Sequence, residues 1–170
     1  MTDPQRMPQD TIAAIATAAG RSAIAVLRVS GPNAHALAAR ICGSLPAPRT
    51  AALRSLRDRS GGLIDRGLVL LFSAPHSYTG EDCVEFQTHG GRVVLTTLME
   101  EVCAQGARLA RPGEFTERAF LNDKIDLVQA EAVADLIDAH SRAGARAALR
   151  SLDGEFSRTL NELAQELLDL

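Results

Sequence analysis

Three charged side chains lie where the neighbouring residues are apolar or begin a helix. Arg28 lies near the end of the apolar run 22–29, Glu85 lies between Val84 and Phe86 on a predicted inner strand, and Lys124 shortly precedes a helix start at Asp126. A carboxylate on a buried strand needs a partner, and an internal ion-pair network is one interpretation. The other is a ligand pocket, in which the carboxylate accepts two parallel hydrogen bonds from an N–H edge while the cations hold an acidic end.

No other set of residues has the spacing of a catalytic or metal site. The histidines are scattered, and only His89 stands out, because the Gly90-Gly91 pair after it lets backbone approach a ligand closely. The cysteines are odd in number, far apart and without a C-x-x-C pair, which argues against a disulfide framework and a zinc site. We therefore predict no catalytic residue and no metal ligand in this chain.

The lysine count excludes a nucleotide-hydrolysing P-loop. The motif G-x-x-x-x-G-K-[ST] needs a glycine directly before its lysine, whereas Lys124 is the only lysine and follows Asp123. We therefore expect this chain alone to carry no nucleotide-hydrolysing P-loop.

Apolar periodicity and turn residues predict the elements that carry these side chains. The predicted strands are 11–16, 22–29, 67–72, 83–88 and 107–109, and the run 22–29 is apolar enough for a strand covered on both faces. Residues 53–59 and 63–72 flank a predicted hairpin turn at 60–62. The predicted helices run from about residue 32 to 41, 92 to 103, 116 to 121 and 126 to 139. The last of these is opened by the capping pair Asp126 and Gln129.

The apolar residues of the final segment, 141–170, recur in steps of three and four, which predicts one long helix. Its apolar seam needs partner helices, because a single helix cannot bury it. The seam comprises Ala145, Leu149, Leu152, Phe156, Leu160, Leu163, Leu167 and Leu170. We expect the chain to end within a helical domain whose other helices lie elsewhere. The predicted organisation is a flexible tail (1–10), a domain of strands and helices (11–118) and the first part of a helical domain (119–170).

Composition limits the class of protein. The 170 residues are 46% hydrophobic, enough for a packed domain, and carry a net charge of −3. Residues 1–120 have a small positive excess, which is too slight to mark an RNA surface. The N-terminus lacks an apolar signal segment, and no apolar run approaches the roughly 18 residues of a membrane span. We expect a cytoplasmic protein without membrane contact.

Three stretches carry more specific patterns. They are residues 10–31 (DTIAAIATAAGRSAIAVLRVSG), 74–91 (APHSYTGEDCVEFQTHGG) and 110–139 (ARPGEFTERAFLNDKIDLVQAEAVADLIDA). In content, order and spacing they closely resemble the N-terminal part of the bacterial tRNA-modification GTPase family MnmE, also called TrmE. The first stretch departs from that family in having Ala18-Ala19 where members usually have two prolines.

The resemblance implies an α+β fold. A mixed β-sheet with helices, similar to the folate domain of the glycine-cleavage T-protein, is followed by the start of an all-α helical domain. It also implies a tetrahydrofolate-binding, homodimerising part of a longer GTPase. That family works with the FAD protein MnmG (GidA) on tRNA and modifies carbon 5 of the wobble uridine, in carboxymethylaminomethyl-uridine synthesis. GTP, Mg²⁺ and K⁺ belong to the family's G domain, which the present sequence lacks.

The resemblance also assigns the three unusual charges. Family members contact the folate through an Arg in an R-[IV]-S-G strand end, a Glu in an E-[LF]-Q strand and a Lys in an L-N-D-K turn. The matching residues here are Arg28, Glu85 and Lys124. The ligand is expected to be 5-formyl- or 5,10-methylene-tetrahydrofolate. Two alternatives stay open: a stand-alone folate-dependent aminomethyl or one-carbon transferase, and a dimerisation scaffold that binds no ligand.

Overall fold

The computed structural model of the chain describes residues 10–158 and Gln165. The chain divides into two compact units, Met1–Phe115 and Thr116–Leu170. The predicted flexible tail lies outside the described residues except for Asp10. The predicted domain limits, 11–118 and 119–170, stay a prediction.

A six-stranded mixed sheet forms the first unit. Its strands are β1 (Thr11–Ile15), β2 (Ser22–Ser30), β3 (Ala52–Arg57), β4 (Leu63–Phe72), β5 (Cys83–Gly90) and β6 (Ala107–Leu109). The spatial order is β3-β4-β5-β2-β1-β6, in which β1 and β6 pair in parallel and all other neighbours are antiparallel. Together with the helices, this confirms the predicted α+β class.

Two helices cover one face of this sheet. They are α1 (Ala34–Cys42) and α2 (Arg92–Ala104), and their apolar sides join alternate residues of the strands in one core. Leu27 and Val29 of β2, with Val84 and Phe86 of β5, belong to this core and are essentially inaccessible. Arg28 and Glu85 lie between these residues in sequence, so period-2 alternation directs them to the opposite face.

The opposite face of the sheet is partly open. Ile24 and Leu53 are each 64% exposed, and Leu68 is 38% exposed. The expectation that the apolar run of β2 is covered on both faces is therefore wrong. A continuous apolar run shows only that both faces of the strand are apolar. It does not show whether other residues of the same chain cover each face.

In the described part of the chain, three helices with defined bounds follow the sheet. They are α3 (Glu114–Leu121), which begins two residues before the predicted start, α4 (Leu127–Ile137) and α5 (Arg142–Leu152). The predicted capping box of α4 is confirmed, since Asp126 accepts from the Gln129 backbone and the Gln129 side chain accepts from the Asp126 backbone. The Gln129 amide also donates to the Leu152 carbonyl at 2.8 Å, which ties α4 to the end of α5.

The prediction of one uninterrupted helix over 141–170 is wrong at its middle. α5 ends at Leu152, and Gly154 adopts a φ of +78°, a conformation that a helix cannot continue through. Residues 155–158 are helical again. Of the predicted apolar seam, Leu160, Leu163, Leu167 and Leu170 lie outside the described residues.

Candidate functional site

Arg28 and Glu85 meet on the open side of the sheet. They are directly paired in the antiparallel register of β2 and β5, although 57 positions separate them in sequence. Arg28 donates from Nε at 2.9 Å and from Nη2 at 2.6 Å, and both hydrogen bonds go to Oε1 of Glu85. The side chains are 29% and 16% exposed, so the pair is shielded but reachable from solvent.

This geometry leaves hydrogen-bonding capacity unused. Among the described residues, Oε2 of Glu85 has no hydrogen-bond partner, and neither has Nη1 of Arg28. The Glu85 side chain is 16% exposed, so solvent has access to part of it. A carboxylate oxygen and a guanidinium N–H thus lie close together, ready to accept from and donate to a ligand.

Two aromatic rings flank the guanidinium group. The ring centroids of Tyr78 and Phe115 lie 5.5 and 5.8 Å from Cζ of Arg28. At this distance each ring attracts the cation and restricts its orientation. Sequence reasoning missed both residues, although Tyr78 is the only tyrosine and lies in the polar loop between β4 and β5.

The loop that carries Tyr78 is anchored to the end of β2. The Ser30 hydroxyl is 2.7 Å from the Thr79 hydroxyl and donates to Glu81 Oε2 at 2.7 Å. Ser30 and Thr79 are completely buried, so these bonds are protected from water. A backbone hydrogen bond from the Gly31 amide to the Asp82 carbonyl, at 3.0 Å, adds a further link between β2 and this loop. Tyr78 is thereby held beside Arg28.

Phe115 is positioned by its neighbour Glu114. That carboxylate is 2% exposed and accepts from two guanidinium nitrogens of Arg108, at 2.8 and 2.5 Å, and from the Arg111 backbone at 2.7 Å. A buried carboxylate bonded in this way cannot shift without losing several charged hydrogen bonds. The R-P-G-E-F sequence therefore fixes the backbone directly before the ring.

Lys124 belongs to the second unit. It lies in the turn after α3, where Asp123 has a φ of +54° and the Lys124 amide donates to the Ala119 carbonyl at 2.9 Å. The structure thus brings Arg28 and Glu85 into contact and gives Lys124 a defined turn conformation. A common pocket for all three residues stays a prediction.

His89, the histidine that stood out in the sequence, pairs with Asp65 of β4. Its Nδ1 lies 2.9 Å from Asp65 Oδ1, and its backbone N–H donates to Oδ2 at 2.9 Å. Partial burial raises the pKa of the Asp65 carboxyl, but hydrogen bonds from the backbone and ring of His89 outweigh this, and the pKa lies below its ordinary value. The imidazole is 74% exposed, so Asp65 orients it toward solvent.

The cysteines and the acidic residues form no site of their own in the part of the chain described. Cys42, Cys83 and Cys103 are free thiols, and burial raises the pKa of each. Residues 10–158 and Gln165 contain no group of three or more histidine, cysteine or acidic side chains suited to a metal ion. Within the same residues, no helix has the length and apolar character needed to cross a membrane.

Two family models match the chain. The model of the N-terminus of the GTP-binding protein TrmE covers residues 11–124, and the model of the MnmE helical domain covers residues 127–170. The first of these includes Arg28, Glu85 and Lys124.

Similar proteins carry the name tRNA modification GTPase MnmE. The chain is 55% identical to the protein from Chromohalobacter salexigens over its whole length, which is 37% of that protein. It is 56% identical to the protein from Neisseria meningitidis serogroup B over 94% of the chain and 36% of the relative. For Legionella pneumophila strain Corby, the identity is 56% over 96% of the chain and 37% of the relative. The chain thus spans little more than a third of the length of these relatives.

Proposed function

Because the chain belongs to the MnmE family of tRNA modification GTPases, we propose that its first unit binds a tetrahydrofolate derivative and forms a homodimer. The derivative is 5-formyl- or 5,10-methylene-tetrahydrofolate. Within a longer cytoplasmic GTPase, this part serves the modification of carbon 5 of the tRNA wobble uridine together with the FAD protein MnmG. GTP, Mg²⁺ and K⁺ act at a G domain outside the present sequence.

The observation that carries the folate proposal is the unused oxygen of Glu85. A pterin ring presents an N–H/NH₂ donor edge, and a carboxylate is the side chain that best accepts from such an edge. Glu85 Oε2 is unpartnered among the described residues and lies on the open side of the sheet. Nη1 of Arg28 is available for an acidic or carbonyl group of the same ligand. The family motif adds Lys124 as a third proposed contact.

The matching experiment is a calorimetric titration of the Glu85→Gln variant with 5-formyltetrahydrofolate. Loss of a hydrogen bond to a charged group costs about 1.5–3 kcal/mol, so we expect affinity to fall roughly 10- to 150-fold. Glu100→Gln is the matched control, because Glu100 is exposed on α2, which covers the other face of the sheet. Unchanged affinity in Glu85→Gln would rule out this pterin contact.

The proposed homodimer rests on the open face of the sheet. Large apolar side chains at Ile24, Leu53 and Leu68 are exposed there, and contiguous exposed apolar surface marks an interaction site. A second copy of the unit would cover such a face. The same face equally suits a scaffold without a ligand, and that alternative predicts no thermal shift with 5-formyltetrahydrofolate.

A further inference from the structure

A second concave surface lies at the β3 edge of the sheet. It is an open groove of about 970 Å³ at the C-terminal ends of α1 and α2, beside the turn that joins β3 to β4. Its polar lining is dominated by Arg40, Arg57, Asp58, Arg59 and Gln105. None of these residues takes part in the contacts around Arg28 and Glu85.

Uncharged acceptors hold three arginines at the groove in place. Arg40 donates to the side-chain and backbone oxygens of Gln105 at 2.6 and 3.1 Å, and Arg57 donates to the Gly61 carbonyl at 2.8 Å. Arg54 borders the groove and donates to the Ser44 carbonyl at 2.8 Å. A guanidinium group has five N–H donors, so each of these residues is oriented while most of its donors stay available.

The charge of the groove is positive. Two carboxylates oppose the four arginines, but Glu101 is 6% exposed and bonded to Gln105 at 2.7 Å and to Arg59 at 3.4 Å. Asp58 is an exposed carboxylate whose pKa is lowered by hydrogen bonds from Ser60 and the Gly62 backbone, so it keeps its negative charge. The carbonyl ends of α1 and α2 carry only partial negative charge, and the carbonyl of Gln105, the residue that caps α2, accepts from Arg40. With four arginines against two carboxylates, the groove keeps a net positive charge.

We propose that this groove binds phosphate groups of an RNA backbone. The groove is larger than a single phosphate needs, its arginines come from α1 and from the β3–β4 hairpin, and no aromatic side chain lines it for base stacking. Contacts of this kind position RNA without reading its sequence. The inference rests on the proposed function, because a tRNA-modifying protein must hold RNA, and it adds a surface on which RNA is held.

The test measures binding of an unmodified tRNA transcript to the 170-residue protein at several salt concentrations. Each lost phosphate contact lowers the slope of log K against log salt by about 0.7–0.9. We expect the Arg40→Gln/Arg57→Gln double variant to lose about 1.4–1.8 of slope and between tenfold and about a hundredfold of affinity near 0.1 M salt. The double Lys variant keeps the charges and should recover most of the slope.

Arg92→Gln is the matched control, because Arg92 is exposed at the other end of α2. A wild-type slope in the Gln double variant, an equal loss in Arg92→Gln, or no tRNA binding by the unaltered protein would overturn the proposal. Thermal melting of each variant checks that the fold is retained. Titration with 5-formyltetrahydrofolate on the same samples separates the two proposals. If the Gln double variant binds both folate and tRNA as the unaltered protein does, the RNA-binding role of the groove is refuted and the folate proposal is not.

Discussion

Arg28 and Glu85 are joined through a single carboxylate oxygen. Two guanidinium nitrogens donate to Oε1, and the second oxygen of Glu85 has no partner among residues 10–158 and Gln165. A purely structural ion pair gains most when both oxygens meet the two-pronged guanidinium. The one-sided arrangement instead satisfies the positive charge while leaving an acceptor for another molecule.

Replacement of Arg28 by Lys distinguishes a ligand-binding role of the Arg28–Glu85 pair from a purely structural one. Lys keeps the charge but has neither two fixed parallel donors nor a flat group to lie near the Tyr78 and Phe115 rings. We expect 5-formyltetrahydrofolate affinity to fall about 10-fold or more, whereas the free energy of unfolding falls by only about 1 kcal/mol, because Lys keeps a positive charge opposite the shielded Glu85 carboxylate. Calorimetry and urea unfolding measure the two quantities, with Arg92→Lys as control. A stability loss with unaltered affinity would indicate an ion pair without a ligand role.

Introduction of a charge on the open sheet face tests the dimer. Ile24 is 64% exposed, and an Asp there would be buried without a partner if a second copy covers the face. We expect light scattering to show a dimer for the unaltered protein at micromolar concentration and a monomer for Ile24→Asp. Val93→Asp serves as the control, because Val93 is 78% exposed on α2 and so lies away from this face. A monomeric unaltered protein, or an Ile24→Asp variant that stays dimeric, would contradict the proposed interface.

The contact between Asp65 and His89 should make the free energy of unfolding depend on pH in the acidic range. The folded-state pKa of Asp65 lies below the ordinary value of 3.8, so its contribution is complete above that value and is lost as pH falls through the lower folded value. We expect the difference in free energy of unfolding between the unaltered protein and Asp65→Asn to shrink from about pH 5 to about pH 2. Urea titrations at stepped pH measure it. A difference that is constant over this range would show that the hydrogen bonds to His89 do not favour the charged form.

Ligand binding and GTP hydrolysis should separate in this chain. Phosphoryl transfer needs a phosphate cradle with its lysine and a Mg²⁺ ligand, and the only lysine lies in Asn122-Asp-Lys-Ile125 without a glycine loop. We expect 5-formyltetrahydrofolate binding by calorimetry and no phosphate release from GTP on the same sample. The prediction fails if the sample hydrolyses GTP faster than the buffer control and if substitution of a residue in this chain abolishes that hydrolysis. GTP hydrolysis would then have been assigned to the wrong part of the protein.

Local features were accessible to sequence reasoning because short-range interactions produce them. The capping box at Asp126 and Gln129 depends on side chains three residues apart, and the strand Ala107–Leu109 was predicted with its observed bounds. The break at Gly154 was missed, because an apolar seam continues in sequence across a glycine that ends a helix. The charges of Arg28 and Glu85 were also recognisable from the sequence, because their immediate neighbours are apolar.

Only the tertiary structure decided what those charges do. The contact between Arg28 and Glu85 depends on the register of β2 against β5, and the approach of Tyr78 and Phe115 depends on a buried loop anchor and on the Glu114 clamp. The same holds for the groove, where arginines from separate elements meet although the net charge of the region is small. Residue types and short spacings set local conformation. The pairing of strands distant in sequence sets which side chains share a surface, and no local pattern encodes that pairing.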